Sequence, residues 1–247
     1  MSQPTAATNP LFYGKPELLM ADRHEKMGLS PDNSFAFAAK AISIPLNAVE
    51  IPVAHAYPIV FANVAPYIPL AITGLRQDEN LFVEASGAWR ANTYIPAYVR
   101  RYPFALARHP EGDQFTLCVD GDSPRLVKNG GQPLFAGKEA SELTKNALQF
   151  CVAFEQEMDA TRKLMEIVHA TNILVPNQAT VNLPSGNTLA LTDFLVVDEA
   201  KLAALPDAVF LQLRAANALP LLYAHLASRV LWGELLQMMR PAAAAAA

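Results

Sequence analysis

Between residues 141 and 170 the side chains Leu143, Ala147, Phe150, Phe154, Met158, Thr161, Met165 and Val168 recur at three- and four-residue steps. That spacing predicts one long helix with a single apolar stripe. Ser141 suits its N-cap. Glu155, Glu157, Asp159, Arg162 and Lys163 fall mainly off the stripe, which therefore reads as a core face rather than a cofactor box. The helix divides a strand-rich first half from a hairpin and further helices. Strands, one long helix, a hairpin and helices are not a βαβ alternation, and the order favours α+β in a single domain.

Residues 1–32 mix Pro4, Pro10, Pro16 and Pro31 with polar residues and read as a poorly ordered or adherent N-terminal arm. Residues 33–128 read as strands. The segments are Ala41-Ile42-Ser43-Ile44-Pro45-Leu46, Tyr57-Pro58-Ile59-Val60-Phe61, Pro69-Leu70-Ala71-Ile72-Thr73, 80–84 and Phe115-Thr116-Leu117-Cys118-Val119. Their prolines imply edges, bulges or strand starts. A glycine loop covers 129–141. After the helix, 180–183 and 188–191 flank Pro184-Ser185-Gly186-Asn187 as a hairpin, and Phe194-Leu195-Val196-Val197 reads as another strand. Asp198 suits an N-cap, and Pro206-Asp207 open a helix. Residues 219–239 read as mostly helical and apolar on more than one side, buried in the domain or in a subunit interface. The domain thus spans 33–240, and 241–247 is a low-complexity tail excluded from functional reasoning.

The chain is 52% hydrophobic and 17% charged, below the usual ~25%, so it is well packed or offers an apolar surface to a partner. With 19 basic and 23 acidic residues its net charge is −4, which argues against nucleic-acid binding. Cys118 and Cys151 lie in apolar runs and read as buried thiols. The N-terminus lacks a secretory pattern, and no apolar run reaches the ~20 residues of a transmembrane segment. The expectation is a soluble cytoplasmic protein, with signal-independent export to the surface as the alternative.

No CxxC, HExxH, GxSxG, Walker or GxGxxG pattern is present. Asp120-Gly121-Asp122-Ser123 stops at Pro124 and reads as a turn rather than a calcium loop. His24, His55, His109, His169 and His225 have no metal-ligand spacing. No cofactor and no metal are expected. The best chemical constellation is 94–104, where Tyr94, Tyr98, Tyr102 and Phe104 surround Arg100 and Arg101. Guanidinium groups bind carboxylates and stack on rings, so these residues are candidates for an anionic ligand or an acidic partner segment. The competing reading is an aromatic core, with the arginines paired to carboxylates such as Asp120 or Asp122. Tyr223 and His225, in an apolar helix, complete the candidate set, His225 being more simply a hydrogen-bonded core residue.

Several pieces, taken in order, resemble one family. They are Ala56-Tyr57-Pro58-Ile59-Val60-Phe61, Gly74-Leu75-Arg76 leading to Glu79-Asn80-Leu81-Phe82-Val83, Gly87-Ala88-Trp89-Arg90 and the 94–104 block. Leu117-Cys118-Val119-Asp120, Phe194-Leu195-Val196-Val197-Asp198-Glu199 and Leu221-Leu222-Tyr223-Ala224-His225-Leu226 follow. Together, over about 34–235, they are similar to the bacterial SapC family, named from genes associated with paracrystalline surface layers. The resemblance implies a role as part of, or accessory to, a surface layer, and it brings no catalytic residues. The expectation is a non-enzymatic interaction protein with a protein partner or self-association. The alternative is a small-molecule binder or enzyme with a site around Arg100, Arg101 and the nearby tyrosines.

Overall fold

The computed structural model describes residues 11–108, 115–182 and 188–239. The expected 184–187 turn, His109, residues 1–10 and the tail lie outside them. From the N-terminus come β1 (Pro16–Leu18), α1 (Ala21–His24), β2 (Met27–Leu29), β3 (Ser43–Pro45), β4 (Ile59–Ala62), β5 (Pro69–Ile72) and α2 (Ala97–Arg100). Next are β6 (Phe104–Arg108), β7 (Phe115–Asp120), β8 (Leu126–Lys128), β9 (Gln132–Pro133), β10 (Phe135–Ala136), β11 (Glu139–Ala140) and α3 (Glu142–Ala170). The chain continues with β12 (Leu174–Asn182), β13 (Thr188–Val197), α4 (Glu199–Ala203), α5 (Asp207–Ala215), α6 (Leu219–Ser228) and α7 (Leu231–Met238). This is an α+β protein. Its described residues divide into two compact units, one from 11–37 with 98–156 and one from 38–97 with 157–239. Neither is continuous in sequence.

The first unit holds three small antiparallel sheets, ordered β1-β7-β6, β8-β2-β9 and β10-β11. Residues 11–32, expected as an arm, are built into two of them. Pro16 faces Asp120 where β1 joins β7, and β2 lies between β8 and β9. Buried Tyr13 donates from its hydroxyl to the Phe104 carbonyl at 2.6 Å. A Cβ on Gly28 would stand 2.0 Å from the Gly130 carbonyl oxygen, so the glycine loop can press onto β2 only because that side chain is absent. Leu29, Phe104, Leu117, Val119, Leu134 and Cys151 form a core, with Leu143 and Ala147 of the α3 stripe against it. Both cysteines are free and buried, as their apolar runs suggested. The Ser141 hydroxyl accepts the Thr144 N–H at 3.3 Å, the expected cap.

The second unit is organised on an antiparallel sheet of order β12-β13-β4-β5-β3. The α3 side chains Thr161, Met165 and Val168 are buried. The Asp198 carboxylate caps α4 by accepting the N–H groups of Ala200 and Lys201 at 3.0 and 3.1 Å.

Three elements differ from the sequence expectation. Residues 80–84 form no strand beyond one bridge between Val83 and Trp89. Asn80 explains this: its side chain takes the Phe82 N–H at 2.9 Å and donates to the Ala38 carbonyl at 3.0 Å, turning the backbone aside. Residues 188–191 and 194–197 are one strand, β13, in which Thr192 and Asp193 together oppose Gln178. Asp193 absorbs that bulge at φ 64°. The mostly helical stretch 219–239 is divided into α6 and α7 by a turn at Arg229 and Val230, where the Arg229 N–H bonds the Leu226 carbonyl three residues back at 3.3 Å.

Candidate functional site

In the first unit, Tyr98 and Arg101 are three residues apart on a helical turn and share a face. Arg101 is only 7% exposed. Its guanidinium carbon lies 4.2 Å from the Tyr98 ring centroid, 4.6 Å from Phe154 and 5.8 Å from Tyr13. Nη1 donates to Glu155 Oε1 at 3.0 Å. The partner is thus Glu155 on α3, not the Asp120 or Asp122 suggested by the sequence. Nε is buried without a partner among the described residues, and contact with the aromatic faces partly offsets that cost. Burial pushes the phenols of Tyr13 and Tyr98 up, with the Arg101 charge pulling the other way. The guanidinium is therefore engaged from within the chain, by Glu155 at its edge and by the Tyr13, Tyr98 and Phe154 rings, in the manner of an internal ion pair.

Arg100 is exposed and lies 5.2 Å over the Phe150 ring. Tyr102 stacks on Phe37 with centroids 4.0 Å apart, and its hydroxyl donates to Asp120 Oδ2 at 2.9 Å. Asp120 Oδ1 accepts the Lys15 N–H at 2.7 Å, so this carboxylate is spent on holding β1. Burial, then the nearby carboxylate, raise the Tyr102 phenol to about 12.

Tyr94 belongs to the second unit and serves a network absent from the sequence reading. Its hydroxyl donates to Glu50 Oε1 at 2.9 Å, which also accepts the Ala97 N–H at 2.5 Å. Glu50 Oε2 accepts the Asn47 N–H at 3.1 Å. Tyr57 donates to the Tyr94 carbonyl, and the Trp89 indole donates to the Tyr57 hydroxyl at 3.2 Å. The signal was a lone acid, Glu50, in the apolar run 46–53. Buried there, it meets three donors, and two of them, the Tyr94 hydroxyl and the Ala97 N–H, tie residues 94–97 to it.

Tyr223 and His225 occupy different sides of α6. His225 is fully buried. Its Nδ1 lies 2.7 Å from the Ile59 carbonyl, and its Nε2 accepts the Val197 N–H at 3.1 Å. That pattern is the neutral ring with the proton on Nδ1. The β4–β13 pairing runs through Ala62↔Phe194 and Phe61↔Leu195, so Ile59 and Val197 lie two steps further along. The imidazole bridges the strands there. Ser228 completes the clamp, accepting the Ile59 N–H at 2.9 Å and donating to the His225 carbonyl at 2.7 Å. Burial above all, with Arg229 adding to it, lowers the His225 pKa to about 4.

Tyr223 is 52% exposed, Leu211 of α5 47% and Val230, beyond α6, 76%. A groove of Leu202, Leu205, Phe210, Tyr223 and Leu226, with Glu199 and Asp207 also in its walls, runs along one flank of α6. A second, lined by Ile51, Ala54, Ala224, Ala227 and Leu231, runs along another. The C-terminal helices are thus apolar on a buried side and on an open one. Among the described residues, no group of three or more His, Cys, Asp or Glu is placed to hold a metal, and no helix is long and apolar enough to cross a membrane.

A family model described as SapC matches residues 19–235, nearly the whole chain. The chain belongs to the SapC family. No curated protein and no solved structure matches it. The SapC match takes in the Glu50 network, the Arg101 cluster and the His225 clamp, and it also covers the open face of α5, α6 and residue 230.

Proposed function

We propose that this SapC family member is a non-enzymatic interaction protein, a component of or accessory to a bacterial surface layer or envelope. The observation that carries this reading is the set of exposed apolar side chains of the second unit: Tyr223 lines one groove, Val230 lines a second and largely apolar one, and Leu211 stands open on α5. Large side chains left this open mark a surface that gains by being covered. Family membership supports the surface-layer context.

The test combines light scattering on the purified chain with a native pull-down from the source cells, quantified for stoichiometry. A self-associated chain, or an envelope protein held in fixed ratio, is expected, and Tyr223→Glu with Val230→Glu should release either. A strictly monomeric chain without a stoichiometric partner overturns the proposal. So does a partner that stays bound to the double variant.

A further inference from the structure

A cleft of about 330 Å³ in the second unit carries a different chemistry. The backbone of β12 and β13 sets one side, with Asn177, Gln178 and Thr180, and α6 to α7 set the other, with Arg229 and Trp232. Trp232 is half-buried and stacks on Phe194, with centroids 6.0 Å apart and planes 26° from parallel. The bulge lies at the cleft, where Gln178 alone opposes Thr192 and Asp193. Bulges re-aim side chains and recur beside binding sites. Among the described residues, none that lines the cleft is acidic. Arg229, on its rim, is paired with Glu199, and the His225 ring is held by Ile59 and Val197.

Different ligand classes make different demands on such walls. An ionic ligand needs an uncompensated counter-charge, and the one cation here is already paired. A purely apolar ligand would strand the Gln178 amide and the Asn177 amino group, Asn177 Oδ1 already accepting the Gln178 N–H at 2.8 Å. A polyhydroxylated ring suits both parts. Its C–H face lies on an aromatic ring, and its hydroxyls donate and accept as two amides and a threonine hydroxyl do. The volume falls at the small end of ligand pockets, ~300–1,000 Å³, which suits one or two sugar rings. From this we infer that the cleft is a binding site for a neutral saccharide, with Trp232 as the stacking platform and Asn177, Gln178 and Thr180 as hydroxyl partners. The inference stands apart from the interaction reading and uses a different surface.

The test is NMR of the ¹⁵N-labelled full chain titrated with glucose, N-acetylglucosamine, maltose and glucuronate. The chain has two tryptophans, so two indole N–H signals report separately, and Trp232→Phe assigns them. A neutral sugar should shift the Trp232 signal saturably with a Kd on the order of 1 mM, while the buried Trp89 signal stays still. Gln178→Ala, at an exposed position that leaves the fold intact, should weaken binding about five-fold, the loss of one hydrogen bond. Trp232→Ala should abolish it. No saturable Trp232 shift with any neutral sugar overturns the inference. Unchanged affinity in Gln178→Ala, or glucuronate binding more tightly than every neutral sugar, does so as well.

Discussion

The His225 clamp makes stability depend on pH in a defined direction. The ring is neutral when folded, with its pKa lowered from 6.5 to about 4, chiefly by burial. Protonation would turn Nε2 from an acceptor into a donor facing the Val197 N–H. Between those values the unfolded chain binds the proton and the folded chain does not. The contribution is therefore complete above about pH 6.5 and is lost as pH falls toward 4. One pKa unit is worth ~1.4 kcal/mol, so about 2 kcal/mol is lost by pH 5 and about 3 kcal/mol by pH 4. His225→Phe keeps the ring volume but strands the Ile59 carbonyl and the Val197 N–H, at ~1–3 kcal/mol each. Urea denaturation followed by circular dichroism, near pH 7.5 and near pH 5, measures both effects. Carboxylates common to the two chains cancel in the difference. The stability gap between wild type and variant should shrink by about 2 kcal/mol at the lower pH. A gap that stays constant within ~0.5 kcal/mol refutes the reasoning, as does a His225 ring signal that titrates near 6.5 in the folded protein.

Arg101→Ala should destabilise by about 3 kcal/mol in denaturant melts, because it strands Glu155 and opens the space between Tyr98 and Phe154; restoring apolar volume with Arg101→Met plus Glu155→Gln should recover most of the loss. Glu50→Ala leaves the Tyr94 hydroxyl and two N–H groups without their acceptor and should cost at least ~3 kcal/mol, with the fluorescence of Trp89 shifting red as residues 89–97 loosen. Burial raises the Cys151 thiol to about 12, so native protein near pH 8 should take up iodoacetamide at that position only slowly by mass spectrometry, and rapidly once denatured.

Periodic features were legible in the sequence. The α3 stripe, its Ser141 cap and the Asp198 cap follow from spacing and from local hydrogen bonds, so the helix over 141–170 and the start of α4 at Asp198 read correctly without tertiary information. Short apolar runs carry less information, because period alone does not fix their partners. Asn80 diverts a segment whose composition suits a strand, through a carbonyl 42 residues away. Thr192-Asp193 reads as a break but is a bulge inside a ten-residue strand. The tyrosines and arginines of 94–104 were found, but their partners were not. Arg101 meets Glu155, 54 residues on, while Tyr94 meets Glu50 in the other unit. Spacing says that such groups need partners, and the tertiary fold decides which ones they get. Glu50 itself was missed because a single buried acid has no periodicity.

The ladder between β4 and β13, at Ala62↔Phe194 and Phe61↔Leu195, has a consequence for the chain on the ribosome. At ~5–20 residues per second, β4 emerges on the order of ten seconds before the strand that will flank it. Through that interval the nascent chain displays Ile59-Val60-Phe61 with one edge bare, able to pair with β5 alone. A longer delay separates Ile59 from His225 and Ser228, which follow β13 in the chain. This sheet therefore closes when the late pair β12–β13 meets the early strands β3 to β5, and a fragment that stops short of Phe194 leaves the β4 edge open to other chains.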